Sequence, residues 1–334
     1  MIKVNIFFDT NYFLSSRKLF SRNIYMSSLF NSIYRTIYNM GRPISDNFIK
    51  SGPQKLINNV IKISKLTDAL VLNKHISENY YFINFDENNF LTIEKILQDK
   101  NSKVIVGPLY NQKDLKILAK LSLQYNNLKI VVASSSAKED LEQITGLSVS
   151  NQVSILPVGV YSESEIFNFQ NQRKLIDNYQ FDCLIYFKNR EIKLLNEIIS
   201  FLKNKNIRYK VLAYGDYKNK QLVEYALKSK FGLILGSTES QGIAINELMA
   251  TNLPLFIIDK NINNYENLKL HGTTVPYWSS ECGEKISDLS DFETNFQSFL
   301  NNYELNTYKP NNLVIEKLSF EKFIENIQYE FLKF

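Results

Sequence analysis

Cysteine is nearly absent. Cys183 and Cys282 are the only two in 334 residues, and neither belongs to a C-x-x-C or Cys/His cluster, which argues against a disulfide framework or a zinc site and fits a reducing compartment. Long apolar runs are missing too. No stretch approaches the ~20 residues that cross a bilayer, and the opening Met-Ile-Lys-Val-Asn-Ile-Phe-Phe-Asp alternates like a strand, without a secretory apolar core. A soluble chain is expected, at most peripheral to a membrane. There is no strong excess of one charge: the balance of +5 is mild and the basic residues are interspersed with acidic ones, so no nucleic-acid surface is expected, although a local anionic ligand is allowed. No Gly-x-Gly-x-x-Gly follows the first strand-like run, which lowers a dehydrogenase reading, and the absence of Gly-x-x-x-x-Gly-Lys-Ser/Thr removes a P-loop kinase. No Asp-x-Asp pair is present to hold a divalent cation, so neither a metal nor a cofactor is expected.

What is present is apolar and regularly patterned. With 44% hydrophobic residues, few glycines and few prolines, the chain should fold throughout, and its length suggests two domains of about 150 residues. In the first half, Lys3 to Phe8 reads as a strand and Ser15 to Asn39 as a helix, broken by Gly41-Arg42-Pro43. Strand Lys103 to Val106 is expected to end in a turn at Gly107-Pro108. Helix Lys113 to Tyr125, strand Lys129 to Ala133, helix Ser136 to Ile144 and an apolar strand-like run from Val153 to Val160 follow. The polar segment Tyr161 to Tyr179 reads as a linker. Alternation then resumes with strands at Cys183 to Phe187, Tyr209 to Ala213, Gly232 to Leu235 and Leu255 to Ile258, separated by helices of ~10 residues, as a buried parallel sheet with right-handed crossovers requires. The reading is α/β with two Rossmann-like domains, residues 1–165 and 166–311, and a terminal helix over 312–334 that packs back across both.

The densest chemistry lies in Gly236-Ser-Thr-Glu239-Ser-Gln-Gly242-Ile-Ala-Ile-Asn-Glu247, followed by Leu-Met-Ala-Thr-Asn-Leu-Pro254. A helix starting near Ser240 or Gln241 would point unpaired amides and a positive dipole end at a diphosphate, with Gly242 allowing close approach. Ser240, Gln241, Gly242, Ile243 and Ala244 are therefore candidate ligand contacts. Glu239 just precedes the helix, and Glu247 would lie nearly two turns in, roughly 10 Å along the axis. Taken singly, Glu239 reads as a dipole-compensating carboxylate and Glu247 as a solvated helix residue. Strand, Glu, Gly, second Glu and Ala-x-x-x-Pro in register favour a ligand site. After the strand Cys183 to Phe187 come Lys188 and Arg190, two residues apart and on one face of an extended chain. Tyr214 and Gly215 follow the next strand. All of these fall at the carboxyl ends of strands, where open α/β sheets bind ligands.

This arrangement resembles the Glu-x7-Glu motif of retaining GT-B glycosyltransferases, of the family 4 or family 1 kind found in bacteria and viruses. Val275-Pro276-Tyr277-Trp278 adds to the likeness. The resemblance implies two domains facing a cleft, with Glu239 on the transferred sugar, Glu247 on the nucleotide ribose and Lys188 and Arg190 as the cations against the donor diphosphate, although the family's usual Gly-Arg…Lys spacing is not reproduced. It implies transfer of a hexose or deoxyhexose, with retention and without metal, from a nucleotide-diphosphate sugar to a glycan, lipid or other hydroxyl acceptor. The expected location is the cytoplasm, or a host's cytoplasm for a viral chain. On topology, the loops carrying Asp9, Thr10 and Asn11, Gly107 and Tyr110, and Ser134 are acceptor-side candidates. His75 and His271 have no placed partner and read as structural. Two other classes stay open: a catalytically idle sugar- or nucleotide-binding protein of the same fold, and a sugar-nucleotide epimerase. Donor, nucleobase and acceptor are set by a few loop contacts that the sequence does not spell out.

Overall fold

The computed structural model describes residues 1–8, 42–43, 52–85, 87–110, 112–148, 150–176, 178–265 and 268–334. The expected helix from Ser15 to Asn39 lies outside them. The chain forms two compact units, Met1–Val158 with Phe323–Phe334, and Gly159–Lys322.

The first unit is an α/β sheet of six parallel strands: β1 (Val4–Phe7), β2 (Leu70–Leu72), β3 (Asn79–Phe85), β4 (Lys103–Tyr110), β5 (Leu128–Val132) and β6 (Val153–Ile155). Their order is β2-β1-β3-β4-β5-β6. Helices α1 (Gly52–Ile63), α2 (Glu87–Leu97), α3 (Gln112–Gln124) and α4 (Ser135–Thr145) supply crossovers. The central strands are nearly continuous apolar runs because helices cover both faces. Val104, Val106, Ile130 and Val132 share one core with Leu118 of α3 and Leu141 of α4.

Three expectations in this half change. Gly107-Pro108 does not end β4. Pairing runs Phe82 to Val106 and resumes Asn84 to Leu109, so β4 carries one extra residue and a bulge absorbs the Gly-Pro pair. The run from Val153 to Val160 forms only the three-residue β6, followed by non-strand backbone containing Pro157, which has no N–H to give a ladder. The segment Tyr161 to Tyr179 holds helix α5 (Glu163–Lys174), so a boundary after residue 165 would fall inside a helix. A capping box starts it: the Glu165 amide donates to Ser162 Oγ and the Ser162 amide to the Glu165 carboxylate.

The second unit holds β7 (Phe181–Phe187), β8 (Tyr209–Ala213), β9 (Ser229–Leu235), β10 (Leu255–Ile258) and β13 (Gly283–Ile286) in one parallel sheet, with an antiparallel hairpin β11 (Ile262–Tyr265) and β12 (Leu268–His271) apart from it. Strand order is β13-β10-β9-β7-β8. The chain thus grows one way from β7 to β8 and the other from β9 onward, which puts the topological switch point between β7 and β9. Side-chain alternation along β7 is clean. Cys183 and Ile185 join Phe256, Phe296 and Phe299 on one face, and Leu184 and Tyr186 join Leu248, Met249 and Val314 on the other. Helices α6 (Ile192–Asn204), α7 (Asn219–Leu227), α8 (Ile243–Ala250) and α9 (Phe292–Glu304) complete the layers.

The expected single terminal helix is two, α10 (Pro310–Leu318) and α11 (Phe320–Leu332). Ser319 between them is extended, with ψ 162°. Val160 and Phe320 amides bond to the Leu318 and Tyr161 carbonyls, so this backbone pairs with another segment and cannot continue a helix. Lys103 and Lys129 donate to the carbonyls of Phe331 and Glu330, capping the last turn of α11.

Candidate functional site

The carboxyl ends of β7 and β9 flank the switch point, and each contributes one charged side chain. Lys188 directly follows β7, its amide held by the Leu235 carbonyl at 2.9 Å. Glu239 follows β9, its amide held by the Thr273 carbonyl at 2.9 Å. Lys188 Nζ donates to Glu239 Oε1 at 2.5 Å, with 18% and 15% of the two side chains exposed. The ammonium also lies 4.6 Å from the centre of the Tyr214 ring, a cation–π contact. Burial raises the Glu239 carboxyl above the ordinary carboxylate range, and Lys188 pulls the other way by charge and hydrogen bond. The pair is therefore a largely desolvated cation and anion at the carboxyl ends of two interior strands.

Arg190 sits differently. Its Nη1 donates to the Gly236 carbonyl at 3.0 Å and the Ile258 carbonyl at 3.1 Å, tying together the ends of β9 and β10. Burial lowers its pKa from the usual arginine value. This geometry makes it a strut beneath the site.

Helix α8 starts later than the sequence suggests, at Ile243, with Gly242 as the residue before it. Gly242 adopts φ +69° and ψ 43°, the left-handed region that glycine enters without strain, and a Cβ there would meet Pro276 Cδ at 3.3 Å. Gln241 is buried, and its carbonyl accepts from Asn246 Nδ2, which fixes the turn onto the helix. Ser240 is exposed, and Ile243 and Ala244 are half-buried. Ile243, Ala244 and Ile245 amides form the first turn, which has no intrahelical acceptor and carries the positive end of the helix dipole. Because of the later start, Glu247 lies about 6 Å along the axis from Ile243, little more than one turn.

Glu247 is not a solvated helix residue: it is 1% exposed. Tyr161 donates its hydroxyl to Glu247 Oε1 at 3.0 Å, and Asn219 Nδ2 approaches the same oxygen at 3.4 Å. Sequence reasoning missed both partners. Asn219 opens α7, and Tyr161 stands just outside the Ser-x-x-Glu cap of α5, a signal that could have ended the linker reading there. Behind Lys188, the Tyr186 and Tyr217 rings meet edge to face with centroids 6.2 Å apart, and burial pushes both hydroxyls up. Gly215 is exposed in the loop after β8, with φ +95°. Tyr277 and Trp278 are half-buried against the core that contains Leu248 and Met249.

In the first unit, Gly107 occupies the β4 bulge and Tyr110 the last position of that strand. Ser134 is buried and caps α4, accepting from the Ala137 amide at 3.3 Å. Asp9, Thr10 and Asn11 lie outside the described residues. His75 is exposed and packs its ring 4.8 Å from that of Phe7, and His271 is exposed on β12. Among the described residues no group of three or more His, Cys, Asp or Glu could hold a metal ion, and no helix is long and apolar enough to cross a membrane.

No protein-family model matches the chain, and no curated protein matches it. Among solved structures it is similar to a glycosyltransferase from Rickettsia africae ESF-5, with 10% identity, TM-score 0.48, and 98% of this chain covering 97% of that one. It is also similar to AviGT4, a glycosyltransferase involved in avilamycin A biosynthesis, with 8% identity, TM-score 0.47 and coverages of 100% and 98%. TarM is a third, with 14% identity and TM-score 0.44; 82% of this chain matches, spanning only 57% of TarM. At such scores these likenesses carry no chemistry over to this chain, and the functional reading rests on the site itself.

Proposed function

We propose that the chain is a glycosyltransferase whose second unit holds a nucleotide-diphosphate sugar at the switch point between β7 and β9. The observation that carries this is the Lys188–Glu239 pair, a desolvated cation and anion at the carboxyl ends of those two strands, with Glu239 beside the Gly242 turn into α8, the helix that carries the buried Glu247. In this reading Lys188 and the amides of Ile243 and Ala244 neutralise the diphosphate as negative charge grows on it, so no metal is required. Glu239 accepts hydrogen bonds from hydroxyls of the transferred hexose or deoxyhexose. Glu247 accepts from the ribose. Tyr214 holds the Lys188 ammonium in place, and Arg190 keeps the ends of β9 and β10 aligned beneath the leaving group. The acceptor hydroxyl attacks the anomeric carbon on the face the diphosphate leaves, which retains configuration, and a diphosphate oxygen takes its proton. Asp9, Thr10, Asn11, Gly107, Tyr110 and Ser134 are proposed to serve a glycan, lipid or other hydroxyl acceptor, in a cytoplasmic setting that allows peripheral membrane contact.

The test is a screen of nucleotide sugars, reading thermal stabilisation, release of nucleoside diphosphate and transfer to a panel of sugar and lipid-linked acceptors. Slow donor hydrolysis or transfer by the wild-type protein, lost in Lys188→Met, is expected. Tight binding with no turnover for any acceptor overturns the enzyme in favour of a binding protein.

A further inference from the structure

Glu247 is held from a place that sequence distance hides. Its partner Tyr161 is 5% exposed and lies 86 residues earlier. The Tyr161 ring packs edge-on against Phe169 of α5, with centroids 5.1 Å apart, so the hydroxyl is presented by a fixed ring. Tyr161 also stands where the chain enters the second unit, and its backbone is bridged to Ser319, where the chain prepares to leave it. The Val160 amide donates to the Leu318 carbonyl at 2.9 Å, and the Phe320 amide to the Tyr161 carbonyl at 2.8 Å. Approach here is close enough that a Cβ on Gly159 would lie 2.5 Å from the Ser319 carbonyl oxygen, so only glycine fits without movement.

We infer that Tyr161 is a positioning residue for nucleotide binding, which orients the Glu247 carboxylate through its hydroxyl and links occupancy of that carboxylate to order in the paired segments 159–162 and 318–320. The inference rests on the proposed donor site. A carboxylate that accepts from a fixed phenol keeps its rotamer, and that pre-orientation favours capture of a ribose diol. Reciprocally, a ribose that fixes Glu247 removes one motion by which Tyr161 and its paired backbone could open, so the two events stabilise each other.

The test uses the full chain and the nucleoside diphosphate that stabilises it most among UDP, GDP, CDP, ADP and dTDP. Tyr161→Phe keeps the ring and removes the donor. It should weaken nucleoside-diphosphate binding and raise the donor KM by roughly tenfold, as the loss of one hydrogen bond to a charged group implies, with kcat unchanged. In a Glu247→Gln background the same change should add little, because the two act through one contact. Hydrogen exchange supplies a readout that a purely structural role would not move. Nucleotide should slow exchange at the Val160 and Phe320 amides in the wild type, and less so in Tyr161→Phe. The wild-type measurement alone keeps the idea refutable if the variant folds poorly, since unchanged exchange at both amides overturns the linkage. Should the wild type bind none of the five nucleotides, the donor reading falls and this inference with it. Should Glu247→Gln weaken binding while Tyr161→Phe does not, the donor reading stands and the role of Tyr161 alone is refuted.

Discussion

Replacing Lys188 by methionine tests the centre of the proposed site, because the side chain keeps its unbranched shape and most of its length while losing the ammonium and its donors. That charge has two tasks. In the proposed reading it meets the diphosphate, and the ammonium also donates to Glu239 at 2.5 Å, offsetting the burial that raises that carboxyl. Losing one charge-assisted hydrogen bond is worth about 1.5–3 kcal/mol, which is roughly one to two orders of magnitude in kcat/KM if the bond is made to the donor. The second task adds a pH signature. Without the ammonium only burial acts on Glu239, so its pKa rises further and a larger fraction is protonated at a given pH. The deficit of Lys188→Met should then be greatest at low pH and shrink as rising pH restores the carboxylate. Initial rates of donor hydrolysis or transfer, measured from about pH 5 to about pH 9 for both proteins, give the comparison. Parallel profiles, separated by a constant factor across that range, would refute the idea that Lys188 keeps Glu239 ionised.

Other expectations follow from the same geometry. Glu239→Gln should lower kcat by roughly one to two orders of magnitude while nucleoside-diphosphate affinity barely changes, whereas Glu247→Ala should weaken nucleotide and donor binding together, so kcat, KM and product affinity separate the two roles. The folded protein favours protonated Glu239 more than the unfolded chain does. Its contribution to stability is therefore present below the ordinary carboxylate pKa and is lost as pH rises through the raised folded value, and calorimetric melts should show Glu239→Gln flattening that part of the pH curve. Gly242→Ala places a Cβ at φ +69° and 3.3 Å from Pro276, and should destabilise by about 1 kcal/mol or more and weaken nucleotide binding; a melt and affinity equal to wild type would contradict the turn geometry. Arg190→Met removes the Nη1 bonds to the Gly236 and Ile258 carbonyls, of which Gly236 keeps the Thr274 hydroxyl, so denaturant unfolding should register a loss of about 1–3 kcal/mol even without ligand.

The sequence alone determined the α/β class and most of the second sheet, because strands buried on both faces must be short apolar runs and the crossovers between them must be helices. It also placed Glu239, Gly242, Glu247 and Lys188 after strand ends of the kind at which open α/β sheets bind ligands, and the proposed site rests on that placement. Local hydrogen bonding could mislead it. Helix α5 was hidden in a polar segment with only Ile166 and Arg173 buried, too few to show a period, and the Gly107-Pro108 turn signal was absorbed by a bulge that exists only because β3 pairs alongside. The start of α8 and the break at Ser319 were likewise set by backbone geometry, in one case a left-handed glycine and in the other an amide pairing across more than 150 residues. Only the tertiary structure decided what the charged residues do. It turned Lys188 toward Glu239, turned Arg190 beneath the strands as a strut, and buried Glu247 against Tyr161, because desolvation and partner choice depend on which distant segments a side chain meets, and that information lies in no local spacing.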